Sequence, residues 1–550
     1  MSPKQKITTN FVFRKHAVIG ATAAEQDHKF LDECFIDNGD IDVLADCSNP
    51  KRIILGRTGS GKSSLLYKLA KCRENVIDLP PEALSLSYIS NSGIIRYLEE
   101  NGVKLDIFYT MLWKHVFTVE LLKKKFNIKD EEAKNKFLQW LAPLFERNKK
   151  KEQALRYLET WGKNFWNETE YRIKEFTTTL EDTLKDSLGA NLHGVQFETS
   201  SESKISTEER AEIINRAQRV VNEVQVKDLY EVINLLSDHV FHDPQEHYYI
   251  MIDRLDDNWV DDSIKYKLIR ALFESIKTFQ KVQNVKIIAT IRTDLLHDVI
   301  ERTRSQGFQE EKFHSMYLKV NWNERQIESI LSSRVGKLIR DQYTKTRVDI
   351  HDILPDRYID GVSPIKYIID RTFLRPREAI QFFNDCLDKA EGKATISIKN
   401  IRDAEPEYSR TRLRSLGDEW HILCPNIYDS FKLLENKSVP FQYRSITDDE
   451  IDELLTLIAS SGDQAGPLKS LVDGYTNGSK TKKEVLIELI RSYYRIGILG
   501  VKINNHSPVM WSYLNDADLS PGQIKPTTHL FVHPTYYLAL GVSPKNRGRQ

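Results

Sequence analysis

A net charge of either sign is missing from this chain: Lys plus Arg and Asp plus Glu each number 79 in 550 residues. No global field therefore draws the molecule onto nucleic acid or an acidic membrane, and any such contact has to be local. Cysteine is scarce and scattered. Cys34, Cys47, Cys72, Cys386 and Cys424 form no CxxC pair and no Cys/His spacing suited to zinc, which excludes a disulfide framework and points to buried thiols in a reducing cytosol. Long apolar runs are also absent. No stretch of about eighteen apolar residues occurs, and the first residues, MSPKQKITTNFVFRKHAVIG, lack the apolar centre of a signal peptide. The expectation is a cytoplasmic protein with no membrane contact. With 40% apolar and 29% charged residues it has the composition of a globular chain, long enough for about three or four domains.

The chain is organised around residues 51–70, KRIILGRTGSGKSSLLYKLA. A short apolar run meets Gly56, Arg57, Thr58, Gly59, Ser60, Gly61, Lys62, Ser63 and Ser64, and an amphipathic stretch follows. Such a pattern predicts a strand, a phosphate loop and a helix beginning near Lys62. Gly56, Gly59 and Gly61 allow backbone N–H groups to turn onto a polyphosphate, and the helix adds the positive end of its dipole. Lys62 is placed to reach the β and γ phosphates of a bound nucleotide, and Ser63 to hold Mg²⁺.

Upstream, TAAEQDHKFLDECF has helical spacing, and Ile19, Gly20 and Phe30 are candidates either to cover an adenine or simply to pack in the core. Downstream, ENVIDLPPEALSLSYI reads as a second strand running into a Pro-Pro loop and DIFYTMLWKHVFTVELLKKKF as an apolar helix. Residues 128–240 read as a helical insertion with a polar Gly/Ser-rich stretch within it. Its Lys149, Lys150 and Lys151 are either a phosphate-backbone contact or a solvated face.

HYYIMIDRLDDNW places Asp253 at the carboxyl end of a buried strand, where it can join the Mg²⁺ shell. Arg254 follows it directly, so orientation of an attacking water falls to Asp256 or Asp257, with Asp257 the first choice. NVKIIATIRTDLL ends a further strand on Arg292, which either senses the γ-phosphate or pairs with Asp253 or Asp256. Arg302 and Arg304 are candidate arginine fingers for a neighbouring subunit or solvated arginines. SMYLKVNW closes the sheet near residue 322.

From 323 the chain reads as helical. Pro376, suited to a helix's first turn, places Arg375 and Arg377 at its amino end, where they could couple a lid to the phosphates. From about 418, helices are followed by a predicted hairpin of KTKKEVLIELIRSYYRIGILGVKI with VMWSYL. This predicts a winged-helix-like domain whose only local basic patch is Lys480, Lys482, Lys483 and Arg491.

Taken together, GRTGSGKSS, IMIDRLDD, ATIRTDLL and FLRPREAIQFF resemble the signalling branch of P-loop ATPases related to AAA+ proteins, the STAND and KAP classes. The chain is most similar to a prokaryotic P-loop ATPase family that shares an AExD segment (Ala24, Glu25, Asp27), the IDRLDD strand and a His533-Pro534 motif. This resemblance spans nearly the whole chain. It implies an α/β P-loop NTPase fold, AAA+/STAND-like, with an N-terminal segment over the nucleotide site (1–50), an ATPase core (51–322), a helical lid (323–417) and the winged-helix-like domain (418–550). It also implies a slow, Mg²⁺-dependent ATPase that acts as a switch or assembly platform, a homo-oligomer working with a separate effector protein in antiviral defence. An initiator-like ATPase gripping DNA with the winged helix is the alternative, and the balanced charge argues against it.

Overall fold

The computed structural model describes residues 11–84, 89, 92–128, 132, 135–136, 139, 169–188, 211, 214–217, 232–234, 236–303, 309–421, 423–460, 466–515 and 518–544. The chain forms two units. A core unit comprises Asp37–Arg57 and Lys62–Val320; a second unit comprises Met1–Ile36, Thr58–Gly61 and Asn321–Gln550. The block around Lys149–Lys151, the polar stretch and Arg304 lie outside the described residues.

The core unit is a parallel-sheet α/β fold. Its strands, in chain order β1 (Ile53–Gly56), β2 (Asn75–Asp78), β3 (Tyr248–Ile252), β4 (Val285–Arg292) and β5 (Tyr317–Lys319), lie in the order β2-β3-β4-β1-β5 and pair in parallel throughout. Every residue of β1 and β3 is buried, as is all of β4 up to Arg292. Continuous apolar runs of this kind suit a parallel sheet covered on both faces. The register sets Gly56 beside Arg292 and Ile252 beside Ala289. The carboxyl ends of β1, β3 and β4 thus meet along one edge, with β4 standing between the other two.

Two helices pack on this sheet, and the first of them was legible in the sequence. Asp106–Phe126 buries most of its length and locks to Asp262–Phe279 through Trp113 Nε1 donating to the Leu268 carbonyl at 2.9 Å and Ser275 Oγ to the Thr110 carbonyl at 3.1 Å. Buried basic side chains at the amino ends of the strands secure the chain entering β1. Lys286 Nζ donates to the carbonyls of Val43, Asp46 and Asn49, while Arg52 reaches those of Val285 and Cys47. Burial, helped by the Arg52 charge, pulls the Lys286 ammonium down to about 7.

In the second unit, Asn323 and Gln326 form a reciprocal capping box that starts Glu324–Gln342. Helices Pro364–Ile369, Pro376–Lys389 and the 23-residue Ile398–Trp420 follow, with Arg375 as N-cap and Pro376 at the first position of the second. The N-terminal helix His28–Cys34 belongs to this same unit. Beyond Trp420 come Asp448–Ser460, opened by the Thr447–Glu450 capping box, then Pro467–Thr476 and Lys482–Ile496.

The predicted hairpin is corrected here. Leu499–Lys502 pairs antiparallel with His529–Val532, which also pairs with Phe441–Gln442. Within VMWSYL only Met510 bridges to Val501, and Ser512–Asn515 is helical. The reason is steric: Trp511 turns its indole over Gly500, where a Cβ would lie 2.7 Å from the ring. His533 Nε2 meets the Tyr513 hydroxyl at 3.0 Å and its Nδ1 lies 2.9 Å from Thr535 Oγ1, so His533-Pro534 is a packed turn. Gly500→Ala should lower stability by about 1–3 kcal/mol as the indole is displaced. Thermal unfolding checks this, and an unchanged midpoint would contradict the packing.

Candidate nucleotide site

The helix expected near Lys62 spans Lys62–Cys72, with Ser63 and Ser64 in its first turn. Gly59 (φ +75°) and Gly61 (φ +99°) occupy the left-handed region, where side chains are strained. Gly56 differs from expectation: it is the last residue of β1, in register with Arg292, and contributes its carbonyl. Lys62 Nζ donates to that carbonyl at 3.0 Å and to the Arg57 carbonyl at 3.1 Å. Partial burial lowers the Lys62 pKa, and the charges of Asp256 and Asp253 oppose the shift.

In the core unit the acids surround this lysine. Thr290 Oγ1, on β4, donates to Asp253, and the Arg254 backbone N–H donates to the same carboxylate at 3.0 Å. Arg254 itself has φ +61°, a strained conformation directly after the strand. Arg292 takes a partner the sequence reading missed. Its Nε and Nη2 grip Asp294 at 3.1 and 2.6 Å, and Nη1 lies 3.6 Å from Asp256. Asp294 sits in the first turn of Thr293–Thr303, favourable for an acid, and only two residues from Arg292. Lys265, buried on Asp262–Phe279, donates to the Asp256 carbonyl at 3.3 Å.

Asp257 is pushed up to about 6 by partial withdrawal from water, by the Asp256 charge and by a hydrogen bond shared with Glu82. Glu82, in the short turn Pro81–Leu84 after β2, was not among the sequence candidates. Its only signal was a Glu following Pro-Pro at the end of a strand. Asp78 is held above the usual carboxylate range by partial burial and by the charges of Asp253 and Glu82.

The second unit holds the tip of the loop. Arg377 N–H donates to the Gly59 carbonyl at 3.4 Å, Arg377 Nε to the Thr22 carbonyl at 3.0 Å, and Trp322 Nε1 to the Ser60 carbonyl at 2.6 Å. Arg375 is elsewhere engaged: it is buried, 3.0 Å from Glu419 and 3.4 Å from Glu378, and Glu378 also takes Arg412 at 2.7 Å. Asp27 pairs with buried Arg334, which also donates to the Ile19 carbonyl at 3.0 Å. Ile19 and Phe30 are buried in the apolar core of the helices, with Phe30 under Arg334, and a Cβ on Gly20 would strike the Arg334 guanidinium. Core packing therefore accounts for all three residues. Arg302 stacks on Tyr266 at 4.5 Å. In the C-terminal basic patch, Lys482 pairs with Asp452 at 2.7 Å and Arg491 with Glu488 at 2.9 Å, which reduces what it offers a nucleic acid.

The donor set fits a magnesium nucleotide. Among the described residues no partner meets Thr58 Oγ1 or the buried Ser60 Oγ, two loop hydroxyls that a phosphate could satisfy. No three His, Cys, Asp or Glu side chains among the described residues are grouped to hold a metal.

Residues 325–417 match the family model of the FunZ-associated C-terminal helical domain. No curated protein matches the chain. Among solved structures, the Walker-type ATPase of Pyrococcus abyssi aligns over 95% of this chain and 98% of its own, at 13% identity and a TM-score of 0.34. At that overlap the likeness says nothing about individual residues. No helix among the described residues is long and apolar enough to cross a membrane.

Two predictions follow from the charges. With a folded-state value near 6 against about 3.9 in an unfolded chain, Asp257 stabilises the fold when protonated, and that contribution fades as pH rises through about 6. If ionised Asp257 orients water, hydrolysis falls on acidification with a midpoint near 6. Glu82→Gln removes a neighbouring charge and moves the limb to lower pH, and a limb unmoved in a pH–rate profile would exclude the coupling. Separately, Asp27→Ala strands the Arg334 charge and should cost about 3–5 kcal/mol, measured by denaturant unfolding.

Proposed function

We propose that this chain is a Mg²⁺-dependent ATPase that works as a slow switch or assembly platform. The observation that carries the reading is the loop between β1 and Lys62–Cys72, with left-handed Gly59 and Gly61 and the unpartnered hydroxyls of Thr58 and Ser60. Lys62 binds the β and γ phosphates, exchanging the carbonyls of Gly56 and Arg57 for phosphate oxygens. Ser63 and Asp253 are the residues that hold Mg²⁺, whose contribution is to neutralise charge on the transferring phosphoryl group. Thr290 and the Arg254 N–H orient Asp253 for this role. Asp257 orients the attacking water, and Asp256 with Asp294 positions Arg292 for the γ-phosphate. Arg377 reports nucleotide state to the helices that follow it.

Hydrolysis is slow because a switch needs a long-lived ATP state. A homo-oligomer, a separate effector protein, a cytoplasmic setting and a role in antiviral defence are parts of this proposal supported by the motif resemblance to STAND and KAP ATPases alone. The paired charges of Lys482 and Arg491 leave the DNA-binding alternative with less support.

Phosphate release should fall at least about 100-fold in Lys62→Ala while the melting temperature stays within a few degrees. Solution mass, measured without nucleotide, with ADP and with ATP plus Mg²⁺, tests the assembly step. The expected result is a larger particle with ATP, held by Asp257→Asn and lost in Lys62→Ala. Equal mass in every state removes assembly from the proposal, and undiminished turnover in Lys62→Ala removes the ATPase.

A further inference from the structure

A trans peptide points its C=O and N–H in opposite directions. Two successive peptides of the phosphate loop have their carbonyls tied down in the second unit: Gly59 C=O by the Arg377 backbone N–H at 3.4 Å, and Ser60 C=O by the Trp322 indole at 2.6 Å. The N–H groups of Ser60 and Gly61 therefore face away from Arg377 and Trp322. Consecutive N–H groups turned the same way make an anion nest. The shorter of the two ties, and the only one made by a side chain, is Trp322.

Trp322 is itself well fixed. It immediately precedes Asn323, the N-cap of Glu324–Gln342, and packs against the apolar core of that unit. Its ring also approaches Gly61, where a Cβ would stand 3.7 Å from the indole in ordinary contact. Ring size thus does not force Gly61 to be glycine, whereas its φ of +99° does. The indole N–H is the feature that acts on the loop.

We propose that Trp322 is a positioning residue for nucleotide binding, its indole N–H holding the Ser60 carbonyl outward so that the Gly61 N–H stays turned into the phosphate nest. The inference rests on the nucleotide reading above and adds to it a link between the first lid helix and the phosphate loop. Any shift of Glu324–Gln342 that carries Trp322 with it releases the Ser60 peptide, and loss of phosphate contacts follows.

The test compares wild type, Trp322→Phe, Trp322→Leu and Lys62→Ala. Affinity is read with a fluorescent ATP analogue in Mg²⁺, turnover by phosphate release, and folding by melting temperature. Loss of one hydrogen bond that organises the loop should weaken Trp322→Phe binding about 3- to 10-fold, with kcat within about twofold and the melting temperature unchanged, and Trp322→Leu should bind no better. Trp322→Phe binding as tightly as wild type overturns the proposal, whatever Trp322→Leu does. A fall in kcat with unchanged affinity, or a melting temperature lowered by several degrees in Trp322→Phe, also overturns it, because the N–H would then serve chemistry or the fold. A wild-type chain that binds no analogue overturns the nucleotide reading itself, a result distinct from failure at Trp322.

Discussion

A loop that offers its backbone N–H groups to an anion has to find donors for the carbonyls of the same peptides. Backbone groups withdrawn from water cost free energy unless paired. Along this loop four carbonyls are accounted for: Gly56 and Arg57 by Lys62 Nζ, Gly59 by the Arg377 N–H, and Ser60 by the Trp322 indole. The loop is nine residues of common sequence, but its donors come from widely separated parts of the chain. Lys62 is local, whereas Trp322 and Arg377 lie some 260 and 318 residues further on. The conformation of the loop therefore depends on the helices of the second unit being folded.

The charges follow the same logic at the carboxyl ends of β3 and β4. A lysine partly withdrawn from water needs nearby acids to remain charged, and Asp253 and Asp256 supply them. Partial withdrawal from water and the neighbouring charges of Asp256 and Glu82 raise the proton affinity of Asp257. Arg292 is steadied chiefly by Asp294, and its longer approach to Asp256 ties the strand end to the acidic turn.

Much of the core was legible because its signals are local. A Gly-rich loop between an apolar run and an amphipathic stretch, or an Asp ending a buried strand, is written within a few residues. Their bounds follow closely: β3 is Tyr248–Ile252, and the phosphate-loop helix begins at Lys62. What escaped depends on contacts between segments distant in sequence. Glu82 is one exposed acid among many until β2 pairs with β3 and brings it to Asp257. Trp322 reads as the end of a strand, and only folding delivers its indole to Ser60. The VMWSYL hairpin stops at the Met510–Val501 bridge, and alternation cannot report that Trp511 must cover Gly500, nor that His529–Val532 takes the opposite edge of Leu499–Lys502. Ile19 and Phe30 look the same in sequence whether they line a ligand or a core.

Arg375 and Arg377 show how packing decides between residues that sequence treats alike. A group that reports the γ-phosphate has to change partners between nucleotide states. For Arg375 this would leave buried Glu419 without its counter-charge and Glu378 with Arg412 alone, a cost of about 3–5 kcal/mol. That is of the order of the whole free energy a switch commonly has available for coupling. Arg377 surrenders one side-chain hydrogen bond, to the Thr22 carbonyl, worth about 1 kcal/mol. Its backbone N–H can meanwhile stay on Gly59, so its side chain is free to exchange without dismantling the loop. In the proposed switch, the network around Arg375 is the fixed base of the helix Pro376–Lys389, and a movement begun at Arg377 would pass to that helix as a whole.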